Sequence, residues 1–483
     1  MLHEIKEGQC LSCFHDDGVN DENEWDDKLK EECGVFGIFI NNPEDECEAV
    51  RTAFYGLYAL QHRGQESAGI AVSDGHSIQL QKGMGLVTQA IQAEHIKELK
   101  GHIAVGHVRY STTGSSNLVN AQPLVFHYLN GMVGLAHNGN LVNTVELKKR
   151  LATYGSVFQT TTDTEVVANL LARYSQDAME DALAKCMIDM KGAFALVIMT
   201  EDRLVGVRDQ MGVRPLCLGD LNGNYVLASE SAALDTIGAS FVRNVNPGEI
   251  VVIDKDGLRS LQVINSPRKA HCIFEYIYFA RPDSTIDGIN VYRARREMGR
   301  QLARECNIQA DIVISVPDSG TSAALGYAEE AGLPFEEGLM KNRYVGRTFI
   351  QPTQKVRELG VRLKLNAVEE VVGGKRVIMV DDSIVRGTTS KKIVQMLREA
   401  GATEVHMVVA SPPTKFPCYY GIDTSRREEL IASTMAEVEI EKFIGADSLH
   451  YITMDGMFKS LKSDEQNFCA ACFSGSYPIK IES

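Results

Sequence analysis

Residues 376–390 read RVIMVDDSIVRGTTS. Val377, Ile378, Met379 and Val380 form a continuous apolar run without alternation, the pattern of a parallel strand covered on both faces. Asp381 and Asp382 stand at its carboxyl end, where open α/β sheets bind ligands. After Ser383, Arg386 and Gly387, the hydroxyls of Thr388, Thr389 and Ser390 precede a predicted helix. Its apolar residues Ile393, Val394, Met396, Leu397 and Ala400 fall at helical spacing before Gly401 stops it. A helix start with free N–H groups and hydroxyls is a phosphate cradle, and two carboxylates beside it suit a sugar phosphate. An acidic turn and an N-capped helix would account for DD alone, but the full string is more specific.

Around this string the second half alternates strand and helix, as parallel sheets do. Residues 311–316, DIVISV, read as a second buried strand. It runs into Pro317-Asp318-Ser319-Gly320-Thr321 and another helix start. Residues 341–348, KNRYVGRT, are basic and lack a helical face, so alone they read as a solvated loop. The 376–390 string resembles the phosphoribosyl pyrophosphate signature of the type I phosphoribosyltransferases. That resemblance implies that Asp381 and Asp382 hold the ribose 2′ and 3′ hydroxyls, while Ser383, Arg386, Gly387, Thr388, Thr389 and Ser390 form the 5′-phosphate loop. It further implies that residues 317–321 bind pyrophosphate, that Ser319 joins Asp381 and Asp382 in placing Mg²⁺, and that the segment carrying Lys341 and Arg343 closes over the leaving group. Magnesium usually reaches a protein through few carboxylates plus substrate phosphates, so a sparse ligand set is expected.

The first half turns on Cys33. Residues 1–32 hold 11 acidic and 3 basic side chains and no sustained periodicity, the composition of a segment that stays unfolded. CGVFGIFI then reads as a strand. If the leader were cut away, the new terminal amine, with a pKa of about 7.7 to 8, could take the proton from its own residue's thiol. Alone, Cys33 reads more readily as a structural thiol at a strand start. Four further stretches alter that balance: HRGQESAGIAV at 62–72, GHVRYSTTG at 106–114, LAHNGNLVN at 135–143 and TTDTEVVANLL at 161–171. With ECGVFGI they resemble the glutaminase domain of the class II glutamine amidotransferases, from Cys33 to about Val263.

That resemblance implies an N-terminal nucleophile hydrolase αββα sandwich with Cys33 attacking the glutamine carboxamide. Asn138, through its side chain, and Gly139, through backbone N–H, are then the oxyanion hole. Arg109 takes the α-carboxylate, Asp163 takes the α-ammonium, and Thr112 and Arg63 support them. Taken singly, some of these residues suit plainer roles: Asn138-Gly139 is also a strong hairpin signal, and Asp163 suits a helix start. His62, His107 and His137 are expected to be structural, since a free terminal amine needs no imidazole base.

At 483 residues the chain favours two domains. The expected organisation is α/β and α+β: a removable propeptide at 1–32, the glutaminase domain at 33–264, and a type I phosphoribosyltransferase parallel-sheet domain at 265–483 with a C-terminal cluster-binding segment. No apolar run approaches the roughly 18 residues of a membrane span, and no signal peptide precedes the domains, so a cytoplasmic protein is expected. The formal charge of −15 argues against a nucleic-acid binder.

Eleven cysteines without an export signal argue for thiols or metal ligands over disulfides. Cys469 and Cys472 form C-A-A-C, with Cys272 and Cys418 far away. The wording around all four resembles the iron-sulfur subclass of the amidophosphoribosyltransferases, implying a 4Fe-4S cluster, although four thiolates also suit zinc. Cys47, Cys186, Cys217 and Cys306 read as core thiols. The leader is long for that family and carries Cys10 and Cys13 in its own CxxC.

Together the two halves resemble that family across everything after residue 32. The implied reaction joins glutamine, phosphoribosyl pyrophosphate and water to give 5-phosphoribosylamine, pyrophosphate and glutamate at the first committed step of purine synthesis. The implied assembly is a homotetramer inhibited by purine nucleotides. Two alternatives stand beside it: a phosphoribosyl pyrophosphate-sensing gene regulator that keeps the fold, which the acidic balance and intact glutaminase residues disfavour, and the same glutaminase half joined to another synthase, which the 376–390 string opposes.

Overall fold

The computed structural model describes residues 33–42, 46–110, 117–266, 268–342, 365–422 and 426–481. Thr112, Arg343, Cys10, Cys13 and the 1–32 segment lie outside them.

The first domain is built on two antiparallel sheets. Strand β1 (Gly34–Phe39) lies inside a seven-stranded sheet, flanked on one side by β2 (Ile103–Arg109), with Gly34 opposite Val108. Both faces of β1 are buried because its residues alternate between two cores. Phe36 and Ile38 pack under helix α1 (Glu48–Ala59), while Val35 and Phe39 join the layer between the sheets. The second sheet has six strands and contains β3 (Gly131–Leu141) paired with β4 (Gly192–Met199). Its outer face buries Leu135, Leu196 and Ile198 against Leu147, Val167, Leu171 and Leu183 of the covering helices, one of them α2 (Thr164–Arg173). Helix, sheet, sheet and helix give the expected αββα sandwich.

β3 decides between hairpin and strand at Asn138-Gly139. It runs through both residues without a turn, opposite Ala195 and Phe194, so the Asn-Gly pair is not a hairpin tip. Gly139 has φ +138, and a Cβ there would lie 2.0 Å from the Ala193 carbonyl oxygen. A glycine meets both demands, the positive φ and the close approach of the neighbouring strand.

The second domain holds a four-stranded parallel sheet in the order β5 (Ile312–Ser315), β6 (Arg376–Asp381), β7 (Glu404–Val409), β8 (Ser448–Tyr451). The unbroken apolar run in β6 has a direct cause. Val377 and Met379 face the core under α5 (Thr388–Glu399), whereas Ile378 and Val380 face the opposite core with α3 (Val291–Glu305) and α4 (Thr321–Ala331). Thr388, Thr389 and Ser390, expected just ahead of the helix, instead form its first turn. There the backbone N–H groups are still without intrahelical partners. No described helix is long and apolar enough to cross a membrane.

Candidate active sites and a cysteine cavity

Cys33 immediately precedes β1 and is buried. Its Sγ donates to the Tyr110 carbonyl at 3.4 Å, and burial pushes its thiol up to about 11, against smaller opposing effects of that bond and of Arg109. Arg63 donates from Nε to the Cys33 carbonyl at 3.2 Å, which fixes the backbone of the nucleophile candidate. Arg109 ends β2, and its Nη1 meets Glu66 Oε1 at 2.8 Å.

On β3, Asn138 is buried, and its Nδ2 has no hydrogen-bond partner among the described residues. A buried orphan donor costs about 1–3 kcal/mol, so its retention points to a use. Asp163 precedes α2 but does not cap it: Oδ2 accepts from the Leu141 N–H at 2.9 Å. Burial opposes its ionisation, yet His137 and the hydrogen bonds hold the carboxyl below its ordinary range. The helix start seen in the sequence is therefore real, while the side chain is spent on tying α2 to the end of β3.

Each of the three histidines is held by a neighbouring group. His62 Nε2 meets Glu230, His107 Nε2 meets the His137 carbonyl, and His137 Nδ1 lies 3.6 Å from Asp163. Burial drives His107 down to about 3, so it stays neutral.

In the second domain Asp381 and Asp382 are buried at the carboxyl end of β6. The Asp382 N–H donates to Asp381 Oδ1 at 2.9 Å, and Ser383 Oγ donates to Asp382 Oδ1 at 2.7 Å. The 317–321 loop abuts this corner, because a Cβ on Gly320 would sit 2.7 Å from the Val380 carbonyl and 3.3 Å from Asp381 Cα. Ser319 is thereby placed next in sequence to a contact on the acid pair. Lys341 reaches the same loop, with Nζ 2.8 Å from Asp318 Oδ2. Arg386 pairs with Glu429. The structure thus gathers oxygen donors, helix starts and a lysine at one sheet corner.

Cys272, Cys418, Cys469 and Cys472 line a single cavity with Phe274, Tyr420 and Tyr477. A short parallel bridge sets Cys272 opposite Cys469. Burial pushes the thiols of Cys272 and Cys469 up to about 12. Among the described residues no three His, Cys, Asp or Glu side chains form a group suited to one metal ion. No disulfide joins two of the described cysteines, and Cys186, Cys217 and Cys306 are buried while Cys47 is only half-buried.

Several contributors escaped the sequence reading. Glu66 lies inside HRGQESAGIAV and was visible there. Glu230 and Glu275 had no local signal, because each meets Arg63 only through the fold: Arg63 Nη1 bonds Glu230, and Arg63 Nη2 lies 2.6 Å from Glu275 Oε1.

Comparison with known proteins finds relatives of both domains. The family model for the glutamine amidotransferase domain matches residues 92–291, and that for the phosphoribosyl transferase domain matches 287–417. Over 458 residues the chain is 52% identical to an amidophosphoribosyltransferase of Bacillus subtilis, covering 94% of this chain and 95% of that one. It is 50% identical over 453 residues to an amidophosphoribosyltransferase of Archaeoglobus fulgidus, covering 93% and 98%. A solved glutamine phosphoribosylpyrophosphate amidotransferase from B. subtilis, complexed with ADP and GMP, superposes with TM-score 0.88 at 50% identity over 93% of this chain and 98% of that one. A structure described as the allosteric regulatory enzyme of purine biosynthesis gives 0.89 at 51% identity over 93% and 97%. The chain therefore belongs to the amidophosphoribosyltransferase family, whose glutamine-dependent conversion of phosphoribosyl pyrophosphate into 5-phosphoribosylamine, the first step of purine biosynthesis, is its activity.

Proposed function

We propose that the two halves divide this reaction between the residues described above, with Cys33 made competent by removal of residues 1–32. Cutting between Glu32 and Cys33 creates a terminal amine, which takes the thiol proton. The thiolate then attacks the glutamine carboxamide, held by Arg109 and Asp163, with Thr112 and Arg63 in support. Asn138 Nδ2 and the Gly139 N–H receive the oxyanion, the terminal ammonium returns its proton to the amide nitrogen, and the C–N bond breaks to release ammonia as the Cys33 thioester forms. Water hydrolyses the thioester to glutamate. Ammonia passes internally to the anomeric carbon of phosphoribosyl pyrophosphate, where a C1–N bond forms as the C1–O bond to pyrophosphate breaks with inversion, and the nitrogen then loses its extra proton to solvent. An enclosed route keeps ammonia from protonation, which predominates in water near pH 7.

The acid pair, the 383–390 loop, Lys341 and Arg343 hold the acceptor. Ser319, Asp381 and Asp382 are the residues for Mg²⁺, and their all-oxygen character fits that ion. Bound Mg²⁺ would offset charge on the departing pyrophosphate. Cys272, Cys418, Cys469 and Cys472 would hold a 4Fe-4S cluster, with the shared apolar cavity supporting an all-sulfur site. Such a cluster has no evident redox substrate, so a structural or oxygen-sensing role is assigned. Iron and sulfide analysis against zinc discriminates the occupants. Purine nucleotide feedback, supported by the relative solved with ADP and GMP, completes the reading together with a homotetramer and a cytoplasmic location.

The observation that most supports the glutaminase assignment is the buried Asn138 Nδ2, a donor without a partner among the described residues, beside the Gly139 N–H. Processed protein incubated with glutamine, Mg²⁺ and phosphoribosyl pyrophosphate tests the whole. Glutamate and pyrophosphate should appear in equal amounts. Glutamate released without matching pyrophosphate would overturn the coupling.

A further inference from the structure

The strand carrying the expected oxyanion donors does not stand alone: a segment of the other domain is packed against it. Residues 418–421, CYYG, come from the phosphoribosyltransferase half and reach β3 more than 270 positions away in sequence. Asn140, next after Gly139, donates from Nδ2 to the Tyr419 carbonyl at 2.9 Å. Gly421 is buried with φ +117, and a Cβ built on it would lie 3.3 Å from both Cα and the carbonyl carbon of Gly139. The same Cβ would come 3.1 Å from Arg214 Nη2.

The segment is itself held from behind. Arg214 donates from Nε to the Tyr420 carbonyl at 3.0 Å. The Tyr420 N–H points to Cys418 Sγ at 3.4 Å, and the Tyr420 hydroxyl donates to the Ile479 carbonyl at 2.6 Å. Cys418 lines the four-cysteine cavity. So CYYG is tied to the second domain through the Tyr420 hydroxyl and Cys418, and to the first through Arg214, Asn140 and the backbone of Gly139.

From this geometry we infer that the Cys418–Gly421 segment is the brace that fixes the oxyanion-hole strand, with Asn140 and Gly421 as positioning residues for glutamine hydrolysis. The inference rests on the reading of Asn138 and Gly139 as oxyanion donors. A donor works only if it is already aimed where charge develops. β4 supports β3 from one edge through its ladder, and Gly192 of β4 leaves room for the Asn140 carbonyl, since a Cβ there would approach that oxygen to 2.4 Å. The brace adds a contact from the synthase half, so the glutaminase hole is completed by the domain that consumes the ammonia.

The test uses Asn140→Ala, which removes one side-chain bond at a partly exposed position, and Gly421→Ala, which inserts a methyl against Gly139. Both are assayed in the processed full chain for glutamine hydrolysis, with ammonia-dependent synthesis at the other site as the folding control. A second readout is binding of the γ-aldehyde analogue of glutamine, which adds the Cys33 thiol to form a thiohemiacetal whose oxygen occupies the hole; glutamate binding serves as its reference. Misplaced donors act on the transition state, so kcat should fall about tenfold while KM for glutamine stays within about twofold. Aldehyde affinity should fall by the same factor as kcat, with glutamate binding and the ammonia-dependent rate unchanged.

Unchanged kcat in Asn140→Ala, or a rise in KM alone, would overturn the brace. So would a parallel loss of the ammonia-dependent rate, which is what general loosening gives. If Gly421→Ala does not fold, Asn140→Ala decides. Asn138→Ala separates the two layers: with kcat unaffected there, the oxyanion reading fails and takes the brace with it, whereas a loss there without loss in Asn140→Ala refutes the brace alone.

Discussion

A thiol whose pKa is about 11 is ionised in roughly one molecule in 10⁴ at pH 7, so burial keeps Cys33 quiet while residues 1–32 are attached. Two consequences can be measured at this one residue. Alkylation of Cys33 by iodoacetamide in the unprocessed chain, followed by mass spectrometry, should accelerate about tenfold per pH unit between pH 7 and pH 10, because each unit raises the thiolate fraction tenfold. After processing, the rate-determining titration should move to the terminal amine. Glutamine kcat/KM should therefore rise with pH through about 7.7 to 8, as that amine loses its proton and can accept one. A processed enzyme whose profile still climbed toward pH 11 would show that the amine is not the base. Cys33→Ala should abolish glutamine-dependent turnover and keep activity with concentrated ammonia at high pH; loss of both would mean that the two centres are inseparable. At Asn138 the orphan Nδ2 predicts a different signature: Asn138→Ala should lower kcat by about 10² to 10³ with KM for glutamine nearly constant.

At the scale of single elements, β6 and its turn make the strongest claim. Asp381→Asn or Asp382→Asn should impair synthesis with glutamine and with ammonia alike, since both nitrogen sources meet the same acceptor. Undiminished ammonia-dependent synthesis would remove these residues from the acceptor site. β6 was legible in the sequence because a strand buried on both faces is a local signature, and Val377 to Val380 show it residue by residue. β1 and the helix beyond Gly387 were legible from local pattern too, although β1 begins at Gly34, after Cys33, and the helix takes in Thr388 to Ser390, which the sequence placed ahead of it. Asn138 and Gly139 were less so. Asn-Gly favours a hairpin locally, and only the approach of the Ala193 carbonyl within the sheet accounts for the pair running straight through β3. Asp163 shows the same limit: the helix start is local information, but the preference of its carboxylate for the Leu141 N–H is tertiary. The cysteine cavity needed three distant segments, so spacing alone could offer only C-A-A-C.

Across the whole molecule, the two halves are joined by buried ion clusters that no motif announced. In one, Arg63 and Glu230 of the first half meet Glu275 of the second, with Ser284 Oγ donating to Glu230 at 2.6 Å. In the other, Arg208 lies 2.8 Å from Asp287 Oδ2, and His271 Nδ1 lies 3.0 Å from the same oxygen. Burial opposes ionisation of Asp287, but Arg208 and His271 overcome it and hold the carboxyl far below the usual range. A carboxylate depressed in the folded state contributes stability that is fully present above its unfolded pKa, about 3.9, and is lost as pH falls toward its folded value. Asp287→Asn should thus act most strongly at neutral pH, where it strands a buried Arg208. One-sided removal from such a pair costs about 3–5 kcal/mol. Below about pH 3.9 the unfolded wild-type chain gains the proton that the folded state refuses, so the wild type loses its advantage and the two proteins converge. Urea unfolding of both proteins at pH 7 and pH 3 measures this directly, with a wide separation of midpoints at pH 7 and a narrower one at pH 3. Equal separation at the two pH values would mean that Asp287 does not anchor the domains through its charge, and that the contact rests on the apolar core shared around Tyr276, Val213 and Ile286.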